Sequence, residues 1–290
     1  MEILRKHLYD LLAEHVIDPK AEVRTLCELF SEEYFYDGVY KVNLEQFTDN
    51  HVFRSLSFRG TLIRISDMRT ALGISDKDFQ FRTPVYGVPL ERMFLLMEFF
   101  LGIYEEGQFE FARNSSAMSL MTTINDNIVT VLSKLNYELQ DISNDDIPRY
   151  IVVERNKLVT EAVEIIEDRP LALAVIEYNH YSLRGCLSDK RAILCQLANH
   201  VEPILSSNIL REGGYSNLQS DVKFLLNNFH IRHNNKDGKS KKEYIANVSD
   251  AELETWYDRA YSMMLAVIVE NENCKIHTEL SKLKDDHKWT

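Results

Sequence analysis

Residues 227–244 read NNFHIRHNNKDGKSKKEY, and within 227–235 alone stand two His, one Arg and four Asn. Lys239, Lys241 and Lys242 follow shortly after. A guanidinium can hold a phosphate through two parallel hydrogen bonds, and an imidazole can exchange a proton near neutral pH. Just upstream, Leu218, Val222, Leu225, Leu226 and Phe229 recur at helical spacing, which predicts a helix running into this stretch. Arg232 lies three residues and His233 four residues beyond Phe229, so both are expected on its apolar side near its end. An arginine there needs a carboxylate, a carbonyl or a ligand phosphate. Two readings follow: a structural arginine paired with an acid from a neighbouring helix, or a phosphate-binding arginine beside a histidine base, either His233 or His230.

Asn234-Asn235 and Asp237-Gly238 are turn signals. The lysines after them make a basic loop, either a solvated surface or a set of phosphate contacts. Gly238-Lys239-Ser240 has the end of a phosphate-loop signature, but His233 stands where its first glycine is required, and no strand precedes it. A nucleotide-binding loop is therefore excluded.

Apolar periodicity predicts helices over most of the chain: 3–17, 20–35, 88–106, 115–140, 157–168, 170–183, 188–205 and 216–233. Ser188 is placed to cap the seventh of these, and Pro203 should end or kink it. Ser249 and Glu252 form a capping-box signature ahead of Leu253, Trp256, Tyr257, Ala260, Met264, Val267 and Ile268 on one face. A single short strand is expected at YIVVERN, 150–156. The polar run DISNDDIPRY, 141–150, with Pro148, is the best boundary. It divides an N-terminal helical domain, 1–145, from a C-terminal helical domain, 150–275, with a charged tail at 276–290.

An arginine-polar dipeptide at the end of a helix, then a polar loop, then a capped amphipathic helix is an order similar to the C-terminal half of HEPN domains. These are all-helical modules of prokaryotic toxins and abortive-infection proteins. The resemblance covers roughly 157–272 and rests on Arg232-His233 as the arginine-polar start. It implies an all-α fold, an N-terminal helical region followed by a HEPN-like bundle. It also implies a metal-independent ribonuclease site at a dimer interface, in which the arginine holds the phosphate and a histidine is the acid/base. The family's later histidine is missing, since 236–239 read Lys-Asp-Gly-Lys. The acid/base role then falls to His233, His230 or Lys239, with Asn234, Asn235, Lys239, Lys241 and Lys242 as RNA or phosphate contacts. Otherwise the module is a non-enzymatic adaptor or regulatory subunit of a larger complex. RNA and a homodimer or heteromeric complex are the expected partners.

The chain has 290 residues, 45% hydrophobic, and a formal net charge of −12. The core can be large, and a globally acidic surface is poorly suited to non-specific binding of duplex DNA. Between Arg54 and Arg92, seven Arg/Lys against four Asp/Glu leave +3, and MRTALGISDKDFQF, 68–81, resembles the turn of a helix-turn-helix. DNA binding through Arg69 and Lys77 is an unfavoured alternative, because Phe79, Phe81 and Pro84 follow where a recognition helix should present polar side chains. Cys27, Cys186, Cys195 and Cys274 include no C-x-x-C pair. Cys186 and Cys195 read as core thiols. The carboxylate pairs Glu32-Glu33, Asp145-Asp146 and Asp285-Asp286 are adjacent and would point apart on a helix. His180 reads as a polar cap. No metal-ligand spacing is visible, so neither metal nor cofactor is expected. The first residues carry charges throughout, unlike a signal peptide, and no 18-residue apolar run occurs. A cytoplasmic location is the expectation.

Overall fold

The computed structural model describes residues 16–74, 89–143, 149–232 and 248–286. Helices take 72% and strands 8% of them. The chain divides into two compact units, the division falling between Val152 and Val153. The helix expected at 3–17 lies outside the described residues.

In the first unit, α1 (Pro19–Ser31) starts with Pro19 behind an Asp18 cap and buries Val23, Leu26, Cys27 and Phe30. It stops short of the expected Phe35, because β1 (Tyr34–Asp37) turns back through Gly38, φ 63°, into β2 (Tyr40–Asn43). The hairpin is antiparallel, Tyr34 opposite Asn43 and Asp37 opposite Tyr40. Asn43 caps the short α2 (Leu44–Phe47), and α3 (Ile65–Ala71) follows. The core is built on α4 (Leu90–Phe111) and α5 (Ser115–Lys134). Phe30 meets Phe100 edge-on, ring centres 4.9 Å apart. Gly107 is needed here, since a Cβ on it would come within 2.6 Å of Val52.

The helix expected over 115–140 ends at Lys134. Asn136 takes a left-handed φ of 63°, a conformation asparagine tolerates well. β3 (Tyr137–Asp141) then pairs with β4 (Tyr150–Glu154), which supplies the partner that an isolated strand would lack. Glu98 of α4 accepts the Val152 N–H at 2.7 Å.

The second unit is a helical bundle. It comprises α6 (Lys157–Ile165), α7 (Arg169–Glu177), α8 (Leu187–Ser206), the one-turn α9 (Ile209–Glu212), α10 (Ser216–Asn228) and α11 (Asp250–Asp286). The 37-residue α11 is its spine, lying along α6, α8 and α10. The expected capping box is present: Glu252 accepts the Ser249 N–H at 3.1 Å and donates its own N–H to Ser249 Oγ at 3.4 Å. Ser188, expected as a cap, is instead inside the first turn of α8; Cys186 holds the cap position without a side-chain bond. Pro203 does not end α8, which continues to Ser206. So near the terminus the proline removes only one backbone donor of the final turn. The charged residues after Lys275 continue α11 as helix to Asp286.

Candidate functional site

The segment expected to continue α10 as helix through His233 does not. α10 ends at Asn228, Phe229 turns into the bundle, and His230 has a φ of 58°. Tertiary contacts explain the break. The Phe229 ring packs 5.2 Å from Trp256 of α11. From α8, the Arg191 Nε–H donates to the His230 carbonyl, and the Cys195 thiol donates to the Ile231 carbonyl at 2.7 Å. The Arg232 N–H donates back to the Leu226 carbonyl at 3.0 Å. These bonds satisfy carbonyls that a helix ending here would leave open, and they outweigh the cost of about 1–2 kcal/mol for a left-handed non-glycine residue. Arg232 therefore does not share a face with Leu225 and Phe229. It leaves the bundle on a backbone pinned to α8.

Its guanidinium makes an ion pair with Glu202, also on α8. The side chains are 32% and 37% exposed, so the pair is neither a sealed core bridge nor an open cation. A pair this exposed contributes about 0.5–1 kcal/mol. Arg191, Cys195 and Glu202 fall along one side of α8 and together hold the segment that carries His230 and Arg232. His233, Asn234, Asn235, Lys239, Lys241 and Lys242 lie outside the described residues. The structure thus brings together two of the expected site residues, His230 and Arg232, and adds Glu202, Arg191 and Cys195 to them.

A second polar site lies elsewhere in the same unit. A cavity of about 460 Å³ is lined by residues that include Asn156, Asn179, His180, Lys190, Glu254 and Asp258. Lys190, its side chain 6% exposed, reaches Glu254 at 2.8 Å and Asp258 at 2.7 Å. Asp258 Oδ1 also accepts the Tyr178 hydroxyl at 2.9 Å, and Glu254 Oε1 the Gly185 N–H at 2.8 Å. Tyr178 stacks on Tyr261, ring centres 4.0 Å apart and 9° from parallel, and the Tyr261 hydroxyl donates to the Val175 carbonyl at 2.7 Å.

Burial, and then the charge of Asp258 and the hydrogen bond to it, push the Tyr178 hydroxyl far above its ordinary value. Burial tends to raise the Glu254 carboxyl, but the bonds from Lys190 and Gly185 and the charges of Lys190 and Arg184 bring it below its ordinary value. Tyr178 thus stays protonated and Glu254 ionised at neutral pH. The cluster is a clamp of one cation between two carboxylates that joins the first turn of α8 and the loop before it to α11. The signal for this cluster was the spacing of Glu254 and Asp258, four apart on one helical face. His180 is the polar cap expected of it: its Nδ1 accepts the Ser182 N–H at 3.3 Å and lies 2.6 Å from the Ser182 hydroxyl.

A further cleft, about 540 Å³, is lined in part by Tyr215, Glu270, Cys274 and His277. Burial, and then the Glu270 charge, raise the Cys274 thiol, so it is not an activated nucleophile. Cys27 is buried, whereas Cys186 and Cys195, expected in the core, are only partly covered. Among the described residues no group of His, Cys, Asp and Glu is placed to hold a metal ion, and no helix is long and apolar enough to cross a membrane.

The helix-turn-helix alternative loses its principal contact. Arg69 is 7% exposed and its guanidinium meets Glu45 of α2 at 2.8 Å. Arg59 donates to the carbonyls of Arg54 and Leu62, both at 3.1 Å, and Arg92 to that of Gly73. Much of the local positive balance therefore ties loops together. Lys77 lies outside the described residues. No family model, no curated protein and no solved structure matches this chain.

Proposed function

We propose that the second unit is a HEPN-like helical module of the antiphage or abortive-infection type, working on RNA in the cytoplasm, with Arg232 as its phosphate ligand. Cleavage would be metal-independent. His230 or His233 would serve as the acid/base, and Asn234, Asn235, Lys239, Lys241 and Lys242 would extend the contact along the RNA backbone. One observation carries this reading: a guanidinium one-third exposed, on a backbone pinned by Arg191 and Cys195. A fixed arginine paired, among the described residues, with a carboxylate that is 37% exposed can exchange that carboxylate for the planar, bidentate contact of a phosphate.

The ion pair with Glu202 also favours a second reading. There Arg232 closes the α8–α10 corner permanently, and the unit is a non-enzymatic adaptor within a larger defence complex, as a homodimer or with other chains. Assays of RNA cleavage and RNA binding separate the two. Under the first reading the wild type cleaves RNA in the presence of a chelator. Arg232→Ala then lowers the rate about a hundredfold, the loss of a charge-assisted contact in the transition state, and Glu202→Gln tightens RNA binding. A wild type that neither binds nor cleaves RNA leaves the adaptor.

A further inference from the structure

The last turns of α11 leave the bundle. From Lys275 to Asp285 every residue except Ser281 is exposed. A projecting stretch this short is marginal as a lone helix in water. Yet it displays Ile276, Leu280 and Leu283, which are 48%, 47% and 55% exposed. Their spacing, four and then three, is that of the d, a and d positions of a heptad. At 100° per residue the stripe lies opposite Cys274 and Glu270, which line the cleft toward the bundle.

We infer that this stripe is the seam of a parallel two-stranded coiled coil with a second copy of the same chain. Charge decides both the occupant and the direction. In a parallel pair each g residue faces the e residue five places on in its partner, which sets Glu279 against Lys284 twice across the two-fold axis. An antiparallel pair that matches Ile276 with Leu280 instead sets Glu279 against its own copy, a repulsion. The sequence of the overhang is thus complementary to itself in one orientation only. The seam is short, so the association is a concentration-dependent equilibrium rather than a permanent dimer.

Sedimentation velocity on the full chain, over a dilution series, tests this. The wild type should pass from dimer to monomer on dilution. Ile276→Glu with Leu280→Glu should be monomeric throughout; both sites are exposed and glutamate is a good helix former, so the fold is preserved. Glu279→Lys should weaken the dimer about tenfold, by turning two attractions into two repulsions, and adding Lys284→Glu in the same chain should restore it. A wild type that stays monomeric at every concentration overturns the proposal. So does a dimer that survives the double glutamate substitution. A dimer indifferent to Glu279→Lys, or not restored by the added Lys284→Glu, overturns the parallel arrangement.

Discussion

Replacing Lys190 with methionine tests whether the second unit is held together as described. Methionine keeps most of the length and apolar volume of the lysine stem and removes the cation. The change leaves Glu254 and Asp258 as like charges four residues apart on α11, with the Tyr178 hydroxyl still donating to Asp258. Stripping one partner from a buried pair costs roughly 3–5 kcal/mol. Here Asp258 is half exposed and Glu254 22% exposed, so water recovers part of that, leaving about 2–3 kcal/mol. In a two-state unit of this size the loss corresponds to a fall in Tm of about 5–10 °C. The pH dependence follows from Glu254, whose folded carboxyl lies below its ordinary value of 4.5. A depressed carboxyl contributes its full stability above the unfolded value and loses it as pH falls through the folded one. The difference between wild type and Lys190→Met should therefore be greatest near pH 7 and shrink below about pH 4. Calorimetric melts at both pH values measure it, and Glu254→Gln added to Lys190→Met should recover part of the loss. A Tm change within about 1 °C at neutral pH, or one of equal size at pH 3, would refute the clamp.

Other outcomes are specific to single residues. His230→Gly should melt at or above the wild-type temperature, because glycine takes the left-handed φ without the penalty of about 1 kcal/mol; if His230 is the acid/base, the same variant should lose RNA cleavage about a hundredfold. Arg232→Ala should lower stability by only about 0.5–1 kcal/mol, since its pair with Glu202 is one-third exposed, and a much larger drop in chemical-denaturation midpoint would mark the corner as structural. Arg69→Met should destabilise the first unit by about 3 kcal/mol by stranding Glu45, in contrast to a surface DNA contact, whose loss would leave the melt unchanged.

What was legible in the sequence follows from what is local. The long helices stand out because one face of each is buried against the bundle, and burial imposes a 3.6-residue period. The hairpin at Tyr34–Asn43 was legible too, through Gly38-Val39, a two-residue turn with glycine first, between the aromatic run Tyr34-Phe35-Tyr36 and Tyr40-Lys41-Val42. It was overrun by extending the helix before it. The end of α5 is similar: Asn136 is a recognised left-handed terminator, yet apolar residues beyond it prolonged the apparent period. Histidine carries a weaker signal of the same kind. α10 ends at Asn228 and the chain turns at His230 because Arg191 and Cys195, some 39 and 36 residues away in sequence, satisfy carbonyls that would otherwise favour another turn.

The same distinction separates the two polar sites. Lys190 is 64 residues from Glu254 and 68 from Asp258, so no local pattern announces that a lysine on an otherwise apolar helix face is balanced. Arg232, by contrast, drew attention because an arginine beside apolar residues near a helix end must be matched by something. The expectation was a carboxylate, a carbonyl or a ligand phosphate for an arginine on the apolar side of a helix, but the helix ends at Asn228 and Arg232 is one-third exposed. The structure supplies a carboxylate, Glu202, in a pair whose side chains are 32% and 37% exposed. A residue whose neutralisation is partial and exchangeable is where binding energy can be drawn from a ligand, whereas one sealed between two acids, as Lys190 is, has already been matched by the fold. The asymmetry between the two cations supports the proposed role of Arg232 as a ligand contact and the stabilising role of Lys190.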